Sequence, residues 1–261
     1  MIGEARPLAG RHALVTGGGR GIGAAIAEQL VVLGAEVTIT GRDQARLNAT
    51  VAGLAGRGRI TGLVVDVTDA AAITHGFARA AETFGSIAIL VNNAGIAKAA
   101  PLARTDLGLW NDILATDLTG AFLCTQAAVP GMLAAGWGRV VNVASTAGLT
   151  GLAYCAAYCA AKHGLIGLTR ALAVELAGKP VTVNAVCPGY TATEIVEQTL
   201  GNIIAKTGRS RADALTELVR HNPQGRLIRP EEVAESVGWL CLPGSGAITG
   251  QAIAVAGGEV M

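Results

Sequence analysis

The sequence predicts an α/β protein in which a doubly wound parallel sheet is covered by helices on both faces. Three observations carry this reading. Short apolar strands alternate with helix-length periodic segments along nearly the whole chain. The first strand enters its helix through a turn holding Gly17, Gly18, Gly19 and Gly21, closed by Gly23. The 261 residues are 51% hydrophobic and only 15% charged, enough apolar surface for a sheet buried on both sides. One domain over 1–261 is expected, because no repeat or low-complexity linker divides the chain.

Taken in order, Ala13–Val15 is the first strand and Ile22–Leu33 its helix. A strand at Glu36–Thr40, a helix from Asp43 and a strand at Ile60–Val65 follow. Thr68 or Asp69 caps the next helix, since short polar side chains accept hydrogen bonds from free N–H groups. Ile87–Val91 is a strand, and a long helical stretch runs from about Thr105 to Leu133. A strand at Arg139–Val143, a helix from about Ala153 to Leu176 and a strand at Val181–Val186 continue the rhythm. Residues 189–229 break it, with RADALTELVRH suggesting one amphipathic helix. Such an excursion after a strand suits a substrate lid, or equally a packing or oligomer element. Pro230 opens a helix whose Glu231 and Glu232 suit its N-terminal dipole, and Gln251–Val255 is the last strand.

Composition excludes several functions. A net charge of +1 with no basic stripe argues against nucleic acid. No apolar run reaches membrane-spanning length, and MIGEARPLAGRH lacks the apolar core of a leader, so a cytoplasmic protein is expected. The five cysteines include no C-x-x-C pair. They read as reduced thiols, with no metal site; Cys155 and Cys159 share a helical face but are too few as ligands.

Glycines at 17, 21 and 23 free the turn's dihedrals and let a pyrophosphate approach the N–H groups that open a helix. The same turn also serves purely structural βα units. Asp66, Asn92-Asn93, Ser145 and Pro188-Gly189 each lie just past a strand's carboxyl end, the edge at which open parallel sheets bind ligands. Arg42 stands where an NAD enzyme would place a carboxylate and, with Arg20 of the glycine turn, could pair with a 2′-phosphate. NADP(H) is therefore favoured over NAD(H). Asp43, one step later, could simply cap its helix. Tyr158 and Lys162, four apart on a helix, share one face. An ammonium beside a phenol lowers the phenol's pKa, so that it can exchange a proton with a carbonyl or alcohol oxygen.

Together TGGGRGIG at 16–23, DVTD at 66–69, NNAG at 92–95, NVAS at 142–145, YCAAK at 158–162 and NAVCPG at 184–189 resemble the tyrosine-dependent short-chain dehydrogenases/reductases over essentially the whole chain. The resemblance implies a Rossmann-type sheet, NAD(P)(H), and hydride transfer between nicotinamide and a ketone or secondary alcohol. It implies Tyr158 as acid/base, Ser145 as polariser of the substrate oxygen, and Lys162 as holder of the nicotinamide ribose. Cofactor contacts are implied for Gly17, Arg20, Gly21, Ile22 and Gly23, and again for Ala94, Gly95 and Pro188. Asp66 and Val67 would face the adenine, Asn93 its ribose, and Gly189 and Thr191 the nicotinamide side. A homodimer or homotetramer is implied as well.

One position departs from the pattern. TDLTG carries Asp117 where the family usually has an asparagine supporting a proton relay behind the lysine. Asp117 either favours the ammonium or impairs the relay. The segments HNPQGRLIRPEEVAESVGWL and PGYTATE most resemble 3-oxoacyl-thioester reductases and aromatic polyketide ketoreductases. The expected substrate is thus a small carbonyl compound or an acyl thioester. Two alternatives stand beside it: an NAD-linked secondary-alcohol or 3-hydroxyacyl-CoA dehydrogenase, and a non-catalytic nucleotide-binding subunit.

Overall fold

Seven parallel strands build the sheet: β1 (His12–Thr16), β2 (Glu36–Gly41), β3 (Ile60–Val64), β4 (Ile87–Asn92), β5 (Gly138–Val143), β6 (Val181–Pro188) and β7 (Ala252–Val255). Their spatial order is β3-β2-β1-β4-β5-β6-β7. This computed structural model describes residues 6–260; residues 1–5, part of the segment read for a leader, and residue 261 lie outside the described residues. The chain winds outward from β1 to β3, then returns to place β4 on the other side of β1. That reversal opens a crevice at the carboxyl ends of β1 and β4.

Nine α-helices are present among the described residues: α1 (Gly21–Val32), α2 (Gln44–Leu54), α3 (Ala70–Phe84), α4 (Leu107–Leu114), α5 (Gly120–Ala134), α6 (Ala156–Glu175), α7 (Glu194–Thr207), α8 (Arg211–Val219) and α9 (Pro230–Cys241). Alternation along β1 divides the core. Ala13 and Val15 pack with Ile26 and Leu30 of α1 and Val237 of α9. Leu14 packs on the other face with Phe77 of α3 and Cys124 of α5. Asp43 and Asp69 cap α2 and α3, each accepting two backbone N–H bonds.

A buried polar ladder ties the second helical layer to the sheet. The Asn92 amide donates to Thr125 of α5 at 2.9 Å and to Asn142 at 2.8 Å, and Asn142 donates to Thr169 of α6 at 2.8 Å. Each buried amide donor of this ladder meets its acceptor, while the Asn92 side-chain oxygen has no partner among the described residues.

Three elements differ from the sequence reading. The stretch read as one helix over Thr105–Leu133 is α4 and α5 joined by a π-turn at Ala115–Thr119, which swings Asp117 inward to 1% exposure. The helix read from Ala153 starts at Ala156, because Tyr154 adopts φ +65°, a left-handed conformation that no helix continues. The excursion holds α7 in addition to α8, the helix that RADALTELVRH marks. Val196, Leu200, Ala214 and Leu218 give α7 and α8 a small core of their own. Its ends are stitched together where Thr191 bridges Ile228.

Gly23 faces the Gly17 carbonyl so closely that a Cβ there would collide with it. Gly23→Ala is expected to destabilise the protein by about 1–3 kcal/mol through overpacking. Gly53→Ala, in α2 with nothing within 4 Å of its Cβ position, is expected to add about 0.5–1 kcal/mol. Thermal denaturation followed by circular dichroism checks both signs.

Candidate active site

The carboxyl edge of the sheet gathers nearly every residue singled out from the sequence. After β1, the turn reaches α1 with Gly17 at φ +66° and Gly21 at φ +51°. Arg20, at the N-cap of α1, makes no side-chain cap, and the first turn holds no acidic residue. The N–H groups opening α1 therefore have no capping side chain, which suits a pyrophosphate. Arg42 and Asp66 follow β2 and β3 and lie 4.0 Å apart. Burial alone would raise the Asp66 carboxyl, but the Thr68 N–H and hydroxyl, with Arg42, hold it below its usual range. Val67 is buried under α5, where a Cβ on Gly120 would strike it.

Two residues expected at the cofactor make contacts with other parts of the chain. Asn93, implied to face the adenosine ribose, directs its amide nitrogen to the carbonyls of Thr16 at 2.9 Å and Gly17 at 3.1 Å. The N–H groups of Asn93 and Ala94 both donate to the Thr16 hydroxyl at 3.0 Å. Asn93 is thus a clasp holding the glycine turn across the crevice. Arg20, expected to help hold a 2′-phosphate, donates to Glu194 at 2.8 Å. Arg46 reaches the same carboxylate at 2.9 Å. Glu194 opens α7, so one acidic side chain of the excursion ties it to the glycine turn and to α2. Arg46 escaped the sequence reading, although it lies one helical turn beyond Arg42 and flanks Gly19.

Ser145 follows β5 and accepts from the Ala147 N–H at 3.1 Å. Lys162 is 4% exposed and donates to the Val143 carbonyl at 3.0 Å. Its Nζ lies 3.2 Å from Asp117 Oδ2 and 5.6 Å from the centre of the Tyr158 ring. The other Asp117 oxygen accepts from the Ile96 N–H at 2.8 Å. Gly95 is required beside it, since a Cβ would stand 2.9 Å from Oδ2.

These contacts reverse one expectation. The Tyr158 phenol is raised, not lowered, from its ordinary pKa. Burial is the main cause; Lys162 and Ser145 pull downward, while the Asp117 carboxylate pushes up. Burial would also depress the Lys162 ammonium, but Asp117 and Tyr158 hold it above its usual value. Asp117 itself is raised, with burial outweighing Lys162. The ammonium is shared, and the phenol has the smaller part.

On the far wall, Thr191 is buried and donates to the Gly189 carbonyl at 3.0 Å. Glu259 accepts from Thr146 at 3.3 Å, and its Oε2 lies 2.7 Å from where a Gly189 Cβ would stand. Burial raises its carboxyl above the usual range. No local motif marks Glu259, since β7 brings it here only in the folded chain. Among the described residues no group of three or more His, Cys, Asp or Glu side chains could hold a metal, and all five cysteines are free thiols.

A family model for short chain dehydrogenases matches residues 11–202. The chain is 42% identical over 246 residues to 2-(S)-hydroxypropyl-CoM dehydrogenase 3 of Xanthobacter autotrophicus, covering 94% of each protein. It is 38% identical over 254 residues to a 3-oxoacyl-acyl-carrier-protein reductase of Vibrio cholerae, covering 97% of this chain and 99% of that one. Among solved structures, an actinorhodin polyketide ketoreductase variant with NADPH superposes with a TM-score of 0.92 at 38% identity, covering 95% of this chain and 97% of the other.

Asp117→Asn keeps an acceptor for Ile96 and removes the charge that opposes ionisation of Tyr158. One tyrosine of the variant is expected to ionise about one pH unit lower than in the parent. Phenolate absorbance titration, with Tyr158→Phe to assign the signal, measures the shift; an unmoved or upward shift contradicts the charge division described.

Proposed function

This chain belongs to the short-chain dehydrogenase family, whose members are NAD(P)-binding oxidoreductases of the carbonyl/alcohol pair, and from that premise we propose that it reduces a ketone with NADPH. The observation that carries the reading is the meeting of Ser145, Tyr158 and Lys162 on a sheet whose carboxyl edge also holds the uncapped N-terminus of α1. The names of the reductase and ketoreductase relatives support a 3-oxoacyl thioester or a polyketide-like ketone as substrate.

The open glycine turn and the acid-free first turn of α1 fit the dinucleotide's pyrophosphate. Gly17, Gly21, Ile22 and Gly23 would hold it. Arg42 would take a 2′-phosphate, and Arg20 and Arg46 would join it once released from Glu194. Asp66 and Val67 would border the adenine. Ala94, Gly95, Pro188, Gly189 and Thr191 would line the path to the nicotinamide, with Lys162 on its ribose. Asn93 contributes by holding the turn.

When bound, the nicotinamide would supply hydride to the carbonyl carbon. Ser145 donates a hydrogen bond to the carbonyl oxygen, and Tyr158 gives its phenolic proton to the same atom, completing the alcohol. The resulting phenolate lies near the Lys162 ammonium, which lowers the cost of that charge. A phenol raised above its ordinary pKa remains protonated through neutral pH, the form that reduction needs and oxidation does not. Asp117 holds the ammonium from behind and is a positioning residue.

We assign residues 189–229 as a substrate lid on a single catalytic domain. The pinned ends of this segment and its separate small core support a movable unit. A homodimer or homotetramer is proposed. Phe122 on α5 and Val174 on α6, 42% and 79% exposed, leave apolar surface for helix pairing. Unpaired thiols fit a reducing compartment such as the cytoplasm, and no described helix is long and apolar enough to cross a membrane.

Tyr158→Phe is expected to lower kcat about 10²–10⁴-fold while cofactor binding persists, measured by NADPH oxidation with a panel of 3-oxoacyl thioesters and cyclic ketones. Arg42→Ala is expected to raise the KM for NADPH about tenfold and leave that for NADH unchanged. Equal use of both cofactors by the parent protein would remove the NADPH assignment. Silence across the panel with cofactor still bound would favour the non-catalytic reading.

A further inference from the structure

One carboxylate joins the excursion over 189–229 to the edge assigned to the cofactor. Glu194 opens α7, and its Oε2 accepts from Arg20 Nη1 at 2.8 Å and from Arg46 Nη1 at 2.9 Å. Arg20 stands in the glycine turn as the N-cap of α1. Arg46 lies in the first turn of α2, its Cβ 3.3 Å from where a Cβ on Gly19 would stand. Thr193 Cγ2 lies 3.3 Å from the corresponding position on Gly21. The start of α7 is therefore packed against the turn to which the pyrophosphate is assigned.

Three arginines stand at this edge, Arg20, Arg42 and Arg46, and the carboxylates that face them are not held alike. Asp66, beside Arg42, also accepts from the Thr68 N–H and hydroxyl. Asp43, 3.3 Å from Arg46 Nε, also accepts the N–H groups of Ala45 and Arg46 as the cap of α2. The Glu194 carboxylate has the two guanidinium groups and, among the described residues, no other hydrogen-bond donor. It is the one acid of the three that nothing but the arginines retains. All the side chains of this junction are about half exposed, and exposed ion pairs are weak. A phosphate monoester carries close to two negative charges and three acceptor oxygens, against one charge and one shared oxygen from Glu194. A ribose 2′-hydroxyl carries no charge and is a poor competitor for two guanidinium groups.

We propose that Glu194 is an internal competitor for the cofactor's 2′-phosphate, so that NADP(H), and not NAD(H), frees α7 from the glycine turn. The inference rests on the NADPH reading and adds to it a residue outside the glycine turn that sets cofactor preference. It also makes the tether of the excursion answer to the adenosine end of the cofactor. Glu197 supplies the control. It stands in the same first turn of α7, where acids suit the helix dipole, but it pairs with Arg211 inside the excursion at 2.7 Å.

The test is the Kd of NADPH and of NADH, measured on the whole protein without substrate by nicotinamide fluorescence. Glu194→Gln is expected to bind NADPH about threefold to tenfold tighter, the loss of two exposed ion pairs that compete with it, and to bind NADH as the parent does. Glu197→Gln is expected to change neither. Tryptic cleavage at the exposed Lys206, Arg209 and Arg211, between α7 and α8, reads the tether without nicotinamide. Adenosine 2′,5′-bisphosphate should speed cleavage of the parent about threefold over adenosine 5′-monophosphate, and Glu194→Gln should be cleaved at the faster rate with no nucleotide. If Glu194→Gln weakens NADPH binding, leaves it unmoved or tightens NADH equally, or if the two nucleotides act alike on the parent, the competition is overturned while the NADPH assignment stands. A parent that binds NADH as tightly as NADPH overturns that assignment, and the competition with it.

Discussion

The cleft depends on how one buried ammonium divides itself. Lys162 has almost no contact with water and three neighbours that can compensate its charge: the Val143 carbonyl, the Asp117 carboxylate and the Tyr158 ring. A buried cation beside a carboxylate at 3.2 Å stays charged. The carboxylate also sends its own field to the phenol, and there it opposes the ammonium. With a neutral side chain at 117, Lys162 would act on the phenol alone. With Asp117 the pair is nearly neutral seen from Tyr158, and burial sets the direction of the phenol's shift.

The scaffold exists to hold that arrangement still. The Thr125–Asn92–Asn142–Thr169 ladder fixes α5 and α6 against β4 and β5 from inside the core. The π-turn then brings Asp117 in from the α5 side, while α6 brings Tyr158 and Lys162 from the other. An α-helical turn at 115–119 would rotate Asp117 to a different bearing, since the π-turn adds a residue to the circuit. Gly95 leaves room for the carboxylate, and the Ile96 N–H takes its second oxygen. Opposite this rigid wall stands the excursion over 189–229, joined to itself at Thr191–Ile228 and to the glycine turn by Glu194.

Local chemistry by itself determined the fold class and most of the edge where the chemistry lies. Strand and helix periods alternate plainly, Asp43 and Asp69 announce their helices, and the glycines answer local demands, a left-handed backbone at 17 and 21 and a close carbonyl at 23. A polar residue closing an apolar run marks a strand end, so Asp66, Asn93, Ser145 and Gly189 could be placed on one edge without coordinates. What only the tertiary structure decided are quantities that depend on long-range partners. Asn93 clasps a turn 76 residues away, Arg20 pairs with a carboxylate 174 residues away, and Glu259 meets Thr146 across 113. The phenol's pKa follows the same rule: the i,i+4 spacing gives the sign of the lysine's effect, but burial and Asp117 come from other elements and outweigh it. Periodicity and capping are properties of neighbours in sequence; desolvation and charge pairing belong to neighbours in space, and those exist only once the chain has closed on itself.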